Sequence, residues 1–252
     1  LAARVGSLSP DKEARVFFVS GGSEAVESAI KMAKQYQRNR GELNRYKVIS
    51  RRGSYHGNTQ MCMSLGGGGA PPNFGPLVPG YSHISQPNGY RCLYCSDKGG
   101  CNLECARDLD RAIEHEGEST VAAFIGEPIS QASGIHIPHQ EYWPTIREIC
   151  DRHGVVMICD EVITGFGRTG KMFATENWNV KPDIFTVAKA LTSGYLPIGA
   201  AIASKEVADA FIGSEEKTFG HLLTFGGNPA SCAAGMANLD IMINEGMVEN
   251  SA

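Results

Sequence analysis

The strongest constraint on this chain is a series of short segments that are almost wholly apolar, separated by stretches with a helical period. ARVFFVS (14–20), KVIS (47–50), MCMSL (61–65), VAAFIG (121–126), VVMIC (155–159), DIFTVA (183–188) and GAAIAS (199–204) read as strands. After the first of them, SEAVESAIKMAKQYQR places Val26, Ala29, Ile30 and Ala33 at i, i+3, i+4 and i+7, on one face of a helix. Helical patterns also fill 103–115, 140–153, 205–212 and 229–244. Strands apolar on both faces must be covered on both faces, so the alternation predicts an α/β fold with a mostly parallel sheet between helices. Residues 66–101, rich in Gly, Pro and Asn, read as a long loop. In such folds ligands sit beyond the carboxyl ends of the strands.

Two glycine-bearing segments compete for a phosphate. Gly165, Gly167 and Gly170 spell G-x-G-x-x-G after the strand VVMIC. A dinucleotide fingerprint needs its glycines to open a helix, where free N–H groups meet the pyrophosphate. The next residues, KMFATENWNVKPD, have no helical period, and Asp160 and Glu161 would repel an anion. SGGSEAVE (20–27) is the better candidate, because it joins the strand ARVFFVS directly to the cleanest helix in the chain. Gly21 and Gly22 permit close approach, and Ser23 adds a hydroxyl at the helix N-terminus.

Charge and cysteine usage remove several function classes. A net charge of −4 offers no broad basic face for nucleic acid or an anionic membrane. No apolar run approaches the roughly 20 residues that cross a bilayer. Eight cysteines scattered through strands and helices point to reduced thiols in a cytoplasmic protein. Four of them, Cys92, Cys95, Cys101 and Cys105, are close enough in sequence to suggest zinc, although the second pair is not C-x2-C and Cys105 falls in a helical pattern. Ordinary packed thiols are the expectation there, with no metal among the site residues. The chain opens on Leu1 and stops soon after a helical pattern, so it reads as a piece clipped at both ends.

Asp160 and Lys189 each end an apolar strand at the edge where ligands bind. Together with the anion site they would suit a cofactor that has a phosphate, a basic ring nitrogen and an aldehyde. The segments GGSEAVE (21–27), SYHG (54–57), GEP (126–128), CDEVITGFGRTG (159–170), AKALTSGYLPIG (188–199) and TFGGNP (224–229), in this order, resemble the class III (ω-amino acid type) aminotransferases. These are pyridoxal-phosphate enzymes of fold type I.

The resemblance implies a three-layer large domain over residues 1–252 with a mostly parallel seven-stranded sheet. The family's N-terminal segment and C-terminal small domain would then lie outside the chain. It also implies pyridoxal 5'-phosphate as cofactor, with Gly22 and Ser23 at its phosphate and Tyr55 stacked on its ring. His56 lies beside that ring, and Glu127 supports the hydrogen-bond network. Asp160 holds the ring nitrogen, Val162 packs the ring's other face, and Lys189 carries the aldehyde as a Schiff base. Thr224 would reach the phosphate of the partner's cofactor in a homodimer.

The implied reaction moves an amino group from an ω-amino acid or amine to a keto acid such as pyruvate. Ala132 stands where the ornithine and γ-aminobutyrate branches carry a gating glutamate, which tilts the expectation toward β-alanine-like or taurine-like donors. A racemase-like or dialkylglycine decarboxylase-like enzyme on the same cofactor would use Asp160 and Lys189 equally well. A non-catalytic zinc module built on the four cysteines would leave Lys189 without a task.

Overall fold

The computed structural model describes residues 1–67, 73–95 and 100–252. The elements are α1 (Ala2–Leu8), β1 (Arg15–Val19), α2 (Gly22–Asn39), β2 (Lys47–Arg51), α3 (Gln60–Leu65), β3 (Tyr81–Ile84), α4 (Glu104–Glu116) and β4 (Val121–Gly126). They continue with α5 (Tyr142–His153), β5 (Val156–Asp160), β6 (Ile184–Val187), β7 (Gly199–Ala203), α6 (Lys205–Asp209), α7 (Pro229–Asn244) and α8 (Met247–Asn250). The strands form one seven-stranded sheet in the order β1-β7-β6-β5-β4-β2-β3. Among the described residues only β7 runs against its neighbours, pairing antiparallel with both β1 and β6.

The pleat divides the core between the two faces. Phe124, Met157, Cys159 and Phe185 point to the layer of α4 and α5, where they meet Leu109, Trp143 and Ile146. Ala123, Ile125, Val156, Ile158 and Ile184 point the other way, onto Val26, Ile30 and Ala33 of α2. Both faces of the central strands are therefore dry, which is why their sequences are continuous apolar runs rather than alternating ones.

Two expectations need correction. MCMSL is the helix α3, not a strand: Met and Leu favour helix, Cys62 and Leu65 turn inward one turn apart, and five apolar residues cannot fix a period. The seventh strand is instead YSHI at 81–84, inside the stretch read as loop. It pairs with β2 alone at the sheet's edge, and its polar Ser82 and His83 hide it from an apolar search. Among the described residues no helix is long and apolar enough to cross a membrane.

Candidate active site

The parallel strands β2, β4, β5 and β6 end at one edge of the sheet, and the reversed β7 begins there. A cavity of about 440 Å³ opens at that edge. It is lined by Gly22, Ser23, Tyr55, His56, Glu127, Asp160, Val162 and Lys189, so eight of the nine residues singled out in the sequence converge on it. Thr224 is exposed and lies outside it.

Asp160, the last residue of β5, forms the floor. The register sets it opposite Thr186 of β6, whose hydroxyl donates to Oδ1 at 2.9 Å. The Val162 N–H donates to the same oxygen at 3.1 Å. His56 Nδ1 pairs with Oδ2 at 2.6 Å, and its side chain is wholly buried. Three donors thus fix a buried carboxylate, and Oδ2 keeps room for one more. His56 Nε2 and Glu127 Oε2 are buried without a protein partner. Buried polar atoms without partners are rare, and in a cleft they point to a ligand.

The first turn of α2 makes one wall. Its N-cap, Gly21, has an extended backbone, and no side chain caps the helix, so the first amides remain free. Gly22 allows a close approach: a Cβ there would stand 3.0 Å from a methyl of Val162 and would press that side chain aside. Gly57 has φ +126° and packs so closely on Ser23 that a Cβ would overlap the hydroxyl. The Asn58 N–H donates to that hydroxyl at 3.2 Å. The Glu24 carboxylate folds back onto the Ser20 N–H at 2.7 Å and does not line the cavity.

Glu127 follows β4 and accepts the Tyr55 N–H on Oε1 at 2.7 Å, tying the two walls together. Behind it lies Arg51, wholly buried, which donates to the Glu127 carbonyl and stacks 5.5 Å over the Trp143 ring. Trp143 in turn donates to the Pro128 carbonyl at 3.1 Å. Arg51 and Thr186 carry no motif that singles them out in the sequence. Each is nonetheless a polar residue at or near the end of an apolar strand, and a buried polar residue needs a partner, so that signal was available.

Lys189 leaves β6 in a short 3-10 turn, Lys189–Leu191, with φ +32°. Its side chain stands exposed at the mouth of the cleft. The G-x-G-x-x-G glycines are elsewhere. Gly165 and Gly170 pack against Glu161 and Ala252 respectively, and the buried Glu161 accepts the N–H groups of Ala174 and Thr175 at 3.1 and 2.9 Å. Burial pushes the Glu161 pKa up despite these donors.

Cys92, Cys95, Cys101 and Cys105 line a second cavity of about 330 Å³ together with His139 and Tyr142. Among the described residues no three His, Cys, Asp or Glu are arranged to hold a metal ion. All eight cysteines are free.

The chain has known relatives. A family model for aminotransferase class-III matches residues 1–252. A probable aminotransferase of Mycobacterium tuberculosis is 45% identical over 99% of this chain and 54% of its own length. The β-alanine–pyruvate aminotransferase of Pseudomonas aeruginosa is 39% identical over 100% of this chain and 57% of its own. An amine transaminase from an uncultivated Pseudomonas species, solved in its PLP-bound (internal aldimine) form, superposes with a TM-score of 0.93 at 41% identity. That superposition covers 99% of this chain and 57% of the other. The chain belongs to the class III aminotransferases. It spans about half the length of the curated relatives it matches.

Proposed function

We propose that residues 1–252 are the cofactor-binding large domain of a transaminase that moves an amino group from an ω-amino acid or amine to a keto acid. The observation that carries this reading is the meeting of Asp160, Lys189 and the uncapped N-terminus of α2 in one cavity. When bound, pyridoxal 5'-phosphate supplies an electron sink for a substrate carbon that loses its proton.

The residues present fit that group. Asp160, held by three donors, has an acceptor position for a protonated ring nitrogen, a contact worth about 1.5–3 kcal/mol. The free amides at Gly22 and Ser23, with the Ser23 hydroxyl, suit a phosphate. Tyr55 and Val162 line the cleft where a flat ring would need two apolar faces. Lys189 presents a primary amine that could bond to the cofactor's aldehyde and, once released, could take a proton from the substrate carbon.

Donor and partner are narrower matters. The name of the β-alanine–pyruvate relative and the small Ala132 favour simple ω-amino donors with pyruvate as acceptor. Thr224, exposed and outside the lining of its own cleft, between the exposed Leu222 and Phe225, suits a homodimer in which it reaches the other copy's phosphate. The family's N-terminal segment and small domain would lie outside these residues.

The test uses the full-length protein with added cofactor. A visible absorbance band should appear, β-alanine should bleach it, and pyruvate should then yield alanine. Absence of the band overturns the reading, and racemised or decarboxylated products in place of alanine move it to another enzyme on the same cofactor.

A further inference from the structure

Lys189 sits in backbone that proteins seldom use without support. Lys189, Ser193 and Gly194 have φ of +32°, +50° and +80°, and only the last is a glycine. A non-glycine residue in this region persists when its surroundings over-determine it. The 3-10 turn Lys189–Leu191 ends without a helical continuation, and its own backbone bonds are long: the Thr192 and Ser193 N–H groups donate to the Lys189 and Ala190 carbonyls at 3.3 and 3.4 Å.

Further donors come from one side chain on α7. Asn238 Nδ2 donates to the Ala190 carbonyl at 2.8 Å and to the Leu191 carbonyl at 3.2 Å. Its Oδ1 accepts the Ser193 hydroxyl at 2.7 Å. One amide therefore spans the segment from Ala190, the residue after Lys189, to Ser193, two residues beyond the turn, using its donor and acceptor sides together. One turn earlier on α7, Gly235 lets the helix approach: a Cβ there would lie 3.0 Å from Leu1 and 3.6 Å from the Leu191 carbonyl. Asn228, by accepting the Ala230 and Ser231 N–H groups, fixes where α7 starts. Asn238 lies nearly fifty residues from the turn in sequence and does not line the cleft.

We infer that Asn238 is a positioning residue for Lys189: it clamps the turn that begins at Lys189 and so holds the lysine at the mouth of the cleft. The inference rests on the proposed role of Lys189, but the hold on the turn is measurable without any cofactor. In the cofactor-free full-length protein, Asn238→Ala should speed hydrogen exchange at the amides of residues 190–194 by about tenfold, the loss expected for one to two hydrogen bonds. The rest of the sheet edge should exchange as before.

With pyridoxal phosphate added, the same variant should capture it through Lys189 about tenfold more slowly, read from the visible band per folded molecule. Asn238→Asp keeps the acceptor for Ser193 but sets a carboxylate against two carbonyls, so it should match or exceed the alanine variant. Ser193→Ala removes one contact and should show a smaller change in the same direction. If Asn238→Ala does not fold, the Asp and Ser193 variants carry the test.

Unchanged exchange at 190–194 overturns the inference. So does a lowered melting temperature with unaltered capture per folded molecule, which would make Asn238 merely structural. Failure of the unsubstituted protein to form the band would instead strike the proposed function and leave the exchange result standing.

Discussion

Two cavities of comparable size, about 440 and 330 Å³, each gather residues capable of chemistry, and they are built differently. In the first, the polar side chains come from the ends of separate strands. Asp160, His56 and Glu127 are buried, and each has at least one partner at hydrogen-bond distance. In the second, the thiols come from one loop and the first turn of α4. Cys105 is buried, Cys101 is exposed, and the Cys95 thiol donates to Asn102. Convergence from a rigid sheet edge fixes geometry to within what a small ring needs, whereas reactive side chains gathered from a loop share only a neighbourhood. A static site is better judged by its supporting bonds than by its inventory of functional groups.

Substitutions can break that contrast, and the largest effect should come from Lys189. Lys189→Ala in the full-length protein should abolish the visible band and lower turnover by about 10²–10⁴-fold or more, the range positioned acid–base groups supply. Steady-state assay and absorbance together check it, and retained colour would remove the lysine from the mechanism. Next comes the pillar behind Glu127. Trp143→Ala should cost about 3–5 kcal/mol of stability, measured by denaturant unfolding, because it empties a wholly buried site and unseats Arg51.

Asp160→Asn should lower turnover by about 10–100-fold, the equivalent of one charge-assisted hydrogen bond, and should lower stability by about 1–3 kcal/mol, because the amide cannot accept from all three donors that hold the carboxylate. The cysteine cavity should give the smallest response. Replacing Cys92, Cys95 and Cys101 by Ser should leave transamination unaltered and shift stability by no more than about 0.5 kcal/mol each. A large loss of activity there would erase the distinction between the two cavities.

The buried thiols sharpen the comparison through pH. Burial pushes Cys62, Cys105 and Cys150 from 9.0 up to about 12, with the neighbouring cysteines adding to the shift at Cys105. Cys159 rises well above the ordinary value for the same reason. Each raised thiol binds its proton more tightly folded than unfolded. Its contribution is therefore complete below about pH 9 and is lost as pH climbs toward 12. Denaturant midpoints measured from pH 8 to pH 11 should fall, and Cys150→Ala should flatten that fall while lowering the whole curve.

Much of the fold and the cleft was legible in the chain itself. The central strands announced themselves because burial on both faces leaves no polar position, and the start of α2 because its glycines join a strand directly to a clean helical period. Asp160 and Lys189 stood out as charges closing apolar runs. Hidden from such a reading was whatever depends on distant partners. Strand β3 is polar because it lies at an edge, and α3 is short enough that its period never declares itself. Thr186 matters through its register opposite Asp160, and Asn238 through a helix that packs back onto the turn. Thr224 was singled out by resemblance, and its own chain gives it nothing to touch in the cleft.

The single reversed strand has a consequence for how the cleft is assembled. Because β7 returns beside β6, the lysine-bearing turn is closed by residues adjacent in the chain, and such short loops cost little entropy to form. The His56–Asp160 pair closes a separation of 104 residues and must await the docking of β4 between them. The strand pair that carries Lys189 is thus a local product of the polypeptide, completed only when α7 brings Asn238 to the turn, while the His56–Asp160 pair is a late achievement of the whole architecture.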